Sequence, residues 1–545
     1  MASHNASVSV PEMASGFHPT VWGDFFIDYS PQPSQKSEEW TAERMSQLKE
    51  KIAGLFGACT TTAEQLNLVD TLQHLSIDHH FSTQILSVLT SAHAAEELNS
   101  GGACLHDVAL RFRLLRQQGF WVSPEVFDRF RDENGSFDVG VADDDARGLL
   151  SLYNAAYLLT HGEAELEEAA LFARQRLESM SMRGSLEYPL AQQVSRALHL
   201  PLPRTVRRVE TLHYVSEYGG DPTHEHEHDP SVLEFARLDF ELLQRLHVKE
   251  LKALSRWWKD LYNEAGVTYS RDRVVECYLW SYTAYYEEEH ARARMILAKM
   301  IALIILTDDT YDVRATLEEC RRWDESAVSL LPDYLKKFYL KLMNIFEEFE
   351  DELEPHEKCR VAFSRKAFQT LSSNYLQEAE WFHGRYKPRF EDQVKVSTVR
   401  SGAPFAAVGL LVGMGGDVAT QEALEWAMGC TDAVKAFAEV TRFMNDLASY
   451  KRGKNKNDVD SSVECYISEH GVTAEVAFAQ ISSLIEDAWK TINGARFENS
   501  KLLPAVQRVA DITASMPLMY GDNKDAFTFS DGLKGLIERL FLNRP

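Results

Sequence analysis

The chain has 545 residues, of which 45% are hydrophobic and 26% charged, and a formal net charge of −25. That length exceeds what one core can organise, so two or three soluble globular domains are expected. The acidity argues against nucleic acid and anionic membrane surfaces as partners, since both would be repelled.

A phosphate ligand would have to be received by metal ions and a local set of arginines that overturn this field. Seven scattered cysteines without a Cys-x-x-Cys pair indicate reduced thiols and a cytoplasmic setting, not a disulfide framework or a zinc site. Residues 1–20 are rich in Ser and Ala, but no Lys or Arg precedes Lys36, so they read as a short disordered leader and not as a transit peptide.

From about residue 40 to 218 the pattern is helix after helix. Residues 41–56, 90–99, 105–119 and 146–159 each space apolar side chains by three and four, and Gly, Asn, Asp and Pro punctuate them. No strand pattern and no repeat period is present. The sharpest change of composition is at 219–230, expected to link a domain spanning 21–218 to one spanning 231–545. His224, His226 and His228 alternate with acidic residues there and read as a solvated loop. A second helical series then runs to the end, so the fold class is all-α in two halves.

The organising stretch of the second half is Met295–Asp312, an apolar helix ending in Asp308, Asp309 and Asp312. Its apolar run is interrupted by Lys299 and too short to span a membrane. Residues four apart share a helical face, which puts Asp308 above Asp312 with Asp309 on their flank. Three anions at a helix C-terminus repel one another and oppose its dipole. The arrangement makes sense around Mg²⁺, which takes carboxylate, water and phosphate oxygens; alone, it also reads as a solvated acidic helix end.

Two further sets accompany it. Arg271 and Arg273 flank Asp272 just before a helix, either as a surface charge pair or as a bidentate phosphate clamp. Arg442, Asn445 and Ser449 form one stripe on a later apolar helix, beside Asp446; the plainer reading there is a helix cap. Together, two oxygen-bearing helices and an Arg pair make a site for a metal-bridged diphosphate.

The ordered set RDR, DDTYD and RFMNDLAS, with VECYISEHG after it, resembles the class I plant terpene synthases. The likeness extends to FHPTVWGDFF (17–26), FRLLRQQGFWVSPEVFDRF (112–130), GLLSLYNAAYL (148–158), YYEEEHARARMILAKM (285–300) and YGDNKDAFTF (520–529). It implies a C-terminal class I terpenoid synthase helical bundle behind a catalytically silent, α-barrel-like N-terminal domain. By that resemblance Asp308, Asp309 and Asp312 hold two Mg²⁺ and Asn445 and Ser449 a third, with Mn²⁺ as a substitute. Arg271, Arg273 and Arg442 receive the departing diphosphate, and Trp280 faces the hydrocarbon, where its ring can stabilise a carbocation. Tyr520, Asp525 and Phe527 belong to a C-terminal loop that lines or closes the pocket.

Three departures stand out. The family's second metal motif carries Glu eight residues after its first ligand, and here that position is Gly453. The Arg pair expected about ten residues before Trp22 is replaced by Glu12 and Met13. No DxDD occurs in the first half, since Ala142 occupies the first position of the nearest match, VADDDAR (141–147).

The resemblance implies a monomeric, cytoplasmic enzyme that turns a prenyl diphosphate, farnesyl diphosphate first, into a C15 hydrocarbon or alcohol. Three alternatives stay open: geranyl diphosphate as substrate, a chain-elongating prenyltransferase, and a helical relative that binds without turnover. The prenyltransferase would need a second DDxxD where Asn445 stands.

Overall fold

Local rules start the helices where the sequence places polar caps. Thr61 and Glu64 satisfy each other's backbone N–H groups at 3.2 Å, and Asp145 accepts from the Gly148 amide at 2.7 Å. Gly148 is required there, because a Cβ would meet the Asp145 carboxylate at 2.0 Å. The computed structural model in which these caps are seen describes residues 17–31, 36–95, 103–133, 135, 137, 145–218, 229–323, 325–452 and 459–544. Among the described residues there is no β-strand, as expected of an all-α chain.

The first half comprises α1 (Phe25–Asp28), α2 (Glu38–Ala58), α3 (Thr62–His74), α4 (Ser82–Ala94), α5 (Leu105–Gln117), α6 (Ala146–Ala156), α7 (Ala164–Arg183), α8 (Leu190–His199) and α9 (Arg207–Tyr218). One predicted helix is displaced: the expectation for 90–99 catches only the end of α4, which starts eight residues earlier. Ser, Thr and Val in STQILSVLTS blur the helical signal there. Helices α3, α5, α6, α8 and α9 line a cavity of about 1680 Å³, the barrel-like feature of this half. The expected linker 219–230, with its three histidines, lies mostly outside the described residues, as do Glu12, Met13, Ala142 and Gly453.

The 36-residue α10 (Pro230–Ala265) joins the halves. Asp229 caps it, Pro230 supplies the first turn, and Gly266 ends it at φ 68°. Its early residues Val232, Phe235 and Ala236 pack with Leu72, Leu89 and Val215 of the first half. Its later residues Leu251, Leu254 and Trp258 join the core of the second half. The two cores therefore meet along one helix. Trp22 and Phe26, although early in sequence, also belong to the second core.

The second half, which holds that core and a smaller cluster around Phe443, Val463 and Ile481, includes α11 (Val274–Ala284), α12 (Ala291–Asp309), α13 (Arg360–Gly384), α14 (Phe390–Arg400), α15 (Ala403–Val412), α16 (Asp432–Arg452), α17 (Ser462–His470), α18 (Ala474–Glu498), α19 (Leu503–Thr513) and α20 (Met516–Tyr520). Side-chain bonds fasten the halves: Arg204 reaches Glu486 through two contacts of 2.7 Å, and the Asn493 amide donates to the carbonyls of Tyr157 and Leu159. No helix among the described residues is long and apolar enough to cross a membrane.

Candidate active site

From Ile296 to Thr307 helix α12 is buried throughout, with Lys299 its one charged residue, so its register is fixed by packing on α11 and α15. The α-helix stops at Asp309, and Thr310–Arg314 continue as a single π-helical turn. Asp308 and Asp312 still share a face, because both contact the Arg400 guanidinium, Asp308 at 3.3 Å. Asp309 turns away. It is 1% exposed and accepts from Ser270 Oγ and the Arg271 amide, each at 2.7 Å. Burial raises its pKa, and Arg271 offsets only part of that rise.

Asp308 looks into a cavity of about 120 Å³, and Asp312 adjoins it through Arg400. Its polar wall carries Arg271, Asp308, Arg400, Thr441, Arg442 and Asn445; its apolar wall includes Trp280, Ile304, Phe437, Met516 and Phe527. Trp280 stacks on Phe527 with centroids 4.6 Å apart, and its indole nitrogen, buried, has no hydrogen-bond partner among the described residues. Tyr520 closes the same wall, 6.5 Å from Trp280, and burial pushes its phenol up. A much larger cavity opens among the first-half helices and reaches Met444, Glu486, Trp489 and Leu518 of the second half, but its arginines are already committed. Arg204 holds Glu486 and Arg113 holds Asp70, and none of Asp308, Asp309 and Asp312 lines it.

Sequence reasoning missed two members. Arg400 contacts Asp312, Asp308 and, at 2.9 Å, Glu378. Burial lowers its pKa, but those three carboxylates outweigh this and leave it well above the usual value. Glu378 is raised by burial, with Arg400 pulling the other way. The signal for Arg400 was the helix break RSGAP. Gly402 sits there at φ +78°, and a Cβ would strike Ile304 at 2.6 Å, so the chain can turn only with glycine at that point. For Glu378, in YLQEAEW, no comparable signal exists.

Several expected site residues are placed away from the cavity. Arg273 is 1% exposed and donates to the carbonyls of Phe527, Thr528 and His18, at 3.0, 2.7 and 2.6 Å. It thereby fixes the C-terminal loop and the N-terminal segment instead of facing the hollow. Asp525 is buried and accepts from the Thr528 amide at 2.8 Å, shaping the turn that delivers Phe527. Asp446 grips Arg442 and accepts from the Ser462 amide at 2.9 Å, capping α17. Ser449 is half-buried one turn beyond Asn445 and is not a wall residue.

The donor set suits a hard divalent cation. Asp308 and the Asn445 amide both line the hollow, Asp312 and Glu378 are tied to Asp308 through Arg400, and the counter-charges in the described wall are the guanidinium groups of Arg271, Arg400 and Arg442. Burial lowers the pKa of Arg271, yet Asp309 and Asp308 raise it well above the usual value, so it holds the place of a cation.

Residues 259–491 match the model of the terpene synthase family, metal binding domain, and residues 21–198 match the terpene synthase N-terminal domain. Tau-cadinol synthase of Zea mays is 55% identical over 536 residues, covering 96% of this chain and 97% of that protein. Alpha-copaene synthase of the same plant is 53% identical over 541 residues, covering 96% and 98%. The crystal structure of isoprene synthase from grey poplar, in complex with three Mg²⁺ ions and dimethylallyl-S-thiolodiphosphate, superposes with a TM-score of 0.83 at 28% identity, covering 93% and 98%. With both domains matched in order and an acidic, arginine-lined hollow where the metal-binding half places it, the chain belongs to the terpene synthase family.

Proposed function

We propose that this enzyme ionises farnesyl diphosphate with the help of Mg²⁺ and converts the resulting allylic cation into a C15 hydrocarbon or alcohol. The observation that carries the reading is one hollow walled on one side by Asp308, Asn445, Arg271, Arg400 and Arg442, with Asp312 and Glu378 tied to it through Arg400, and on the other by Trp280, Phe527, Tyr520 and aliphatic side chains. The choice of a C15 substrate is supported by the relatives at 55% and 53% identity, which are named for sesquiterpenes.

Asp308 and Asn445 in the wall, with Asp312 and Glu378 adjoining through Arg400, would hold Mg²⁺, which would supply positive charge to the departing diphosphate. The isoprene synthase with three Mg²⁺ ions supports a count of three. Arg271, Arg400 and Arg442 line the hollow and are placed to receive the developing negative charge. Trp280 and Phe527 line the apolar side, where an aromatic face offered to the cation would stabilise it by cation–π attraction. Ile304, Phe437 and Met516 shape the chain and so decide which double bond attacks. A monomer in the cytoplasm is the expected state, and all seven thiols are free.

The cavity volume favours a second reading. At about 120 Å³ it is smaller than the roughly 300–1,000 Å³ of ordinary small-molecule sites. The shorter geranyl chain needs less opening, so geranyl diphosphate is the competing substrate. Purified protein with Mg²⁺ and each diphosphate separately, with the headspace analysed by mass spectrometry, tests both. A C15 product is the expected result. A C10 product alone would replace the substrate assignment, and silence from folded protein would leave a binding relative without turnover.

A further inference from the structure

Away from the active site, three side chains that no step above uses converge where the halves meet. His79 and His80 sit on the 3₁₀ turn Asp78–Phe81 of the first half, and Asp239 sits on α10. One ligand atom from each lies within 4.8 Å of the other two. His80 Nε2 is 2.9 Å from Asp239 Oδ1, and the second Asp239 oxygen takes the Arg208 guanidinium at 3.2 Å, which holds the carboxylate in place. The two imidazole rings are 4.0 Å apart between centroids.

His79 makes the cluster unusual. Its Nδ1 is buried and has no hydrogen-bond partner among the described residues. An orphaned buried nitrogen is costly, so such groups are nearly always partnered. Two imidazoles and one carboxylate match the borderline-soft preference of Zn²⁺ far better than that of Mg²⁺, and a three-residue set leaves a further position for water. The nearby arginines do not repel a cation unopposed: Arg208 is paired with Asp239 and Arg207 with Asp78.

We propose that His79, His80 and Asp239 form a second cation site, specific for a transition metal of the Zn²⁺ class, that staples the Asp78–Phe81 turn to α10. The site shares no residue with the hollow at Asp308 and does not depend on the reaction proposed for it.

The test uses the untagged, metal-stripped full chain with His224, His226 and His228 replaced by Asn, in millimolar Mg²⁺ so that the oxygen site is occupied. Zn²⁺ is titrated against a chromophoric chelator, and Co²⁺ is added separately to read the visible spectrum of the bound ion. The expected result is one equivalent of Zn²⁺, and a Co²⁺ spectrum that Zn²⁺ abolishes. H79F should weaken Zn²⁺ binding by at least about tenfold while retaining the ring packing against Tyr286, and D308N should leave it unchanged. Zn²⁺ should also raise the unfolding temperature of the parent and not of H79F. Absence of Zn²⁺ binding by folded parent protein, binding equal in H79F, or loss in D308N would each overturn the proposal.

Discussion

Replacing Arg400 by Met removes the one cation that touches Asp308, Asp312 and Glu378 together. Taking one partner from a fully buried ion pair costs about 3–5 kcal/mol, because the charge left behind stays uncompensated. Arg400 and Glu378 side chains are 13% and 15% exposed, but Asp308 and Asp312 are 24% and 42% exposed and regain water. The expected loss is therefore smaller, about 2 kcal/mol, or a fall of roughly 2 °C in the unfolding temperature of a chain this size. That fall belongs to protein in chelator. With saturating Mg²⁺ the three carboxylates have a new counter-charge, and the gap between R400M and the parent should shrink to about 1 °C. Differential scanning fluorimetry of both proteins, in chelator and in Mg²⁺, reads all four values. Turnover should nonetheless drop at least about tenfold, because the diphosphate loses a cation that R400M cannot supply. An equal gap with and without Mg²⁺ would refute the idea that Arg400 holds the place of a metal ion.

D308A should cut turnover at least about 10²-fold and leave the far-UV spectrum unchanged, whereas D309N should mainly lower the unfolding temperature and move the half-saturating Mg²⁺ less than about threefold; equal Mg²⁺ shifts in both would put Asp309 among the metal ligands. G453E restores the oxygen donor absent from the second motif and should lower the half-saturating Mg²⁺ by about tenfold, the equivalent of ~1.4 kcal/mol; an unchanged requirement would show that this position does not face the metal. Glu276 is fully enclosed, and burial pushes its carboxyl from 4.5 up to about 7. Folded protein thus keeps a proton that unfolded protein releases, so stability falls as pH rises through this window and the full cost of about 3 kcal/mol is present above it. E276Q should therefore unfold several degrees above the parent at pH 8.5 and level with it near pH 5 in thermal scans; a constant difference would mean that Glu276 does not titrate there.

What was legible in the sequence followed from patterns that local physics enforces. Apolar spacing exposed the helices, and the acidic end of the Met295–Asp312 stretch stood out because a helix C-terminus does not favour anions. Asp309 lies on the flank that helical spacing gives it, but spacing cannot show that Ser270 and the Arg271 amide already engage its carboxylate. Arg273 looked equivalent to Arg271 two residues earlier. Only the fold shows that carbonyls of Phe527, Thr528 and His18, more than 250 residues distant in each direction, saturate it. Arg400 and Glu378 lie on two different helices, and only their packing brings them to Asp312. Contacts of that range leave no periodic trace.

The most direct test of the central claim offers the parent enzyme equimolar farnesyl and geranyl diphosphate with Mg²⁺, with D308A in parallel, and measures released diphosphate together with the terpene formed. The account predicts C15 product in stoichiometric step with diphosphate from the parent, little C10 product, and neither from D308A. Diphosphate release that D308A retains, or that appears without any terpene, would contradict it.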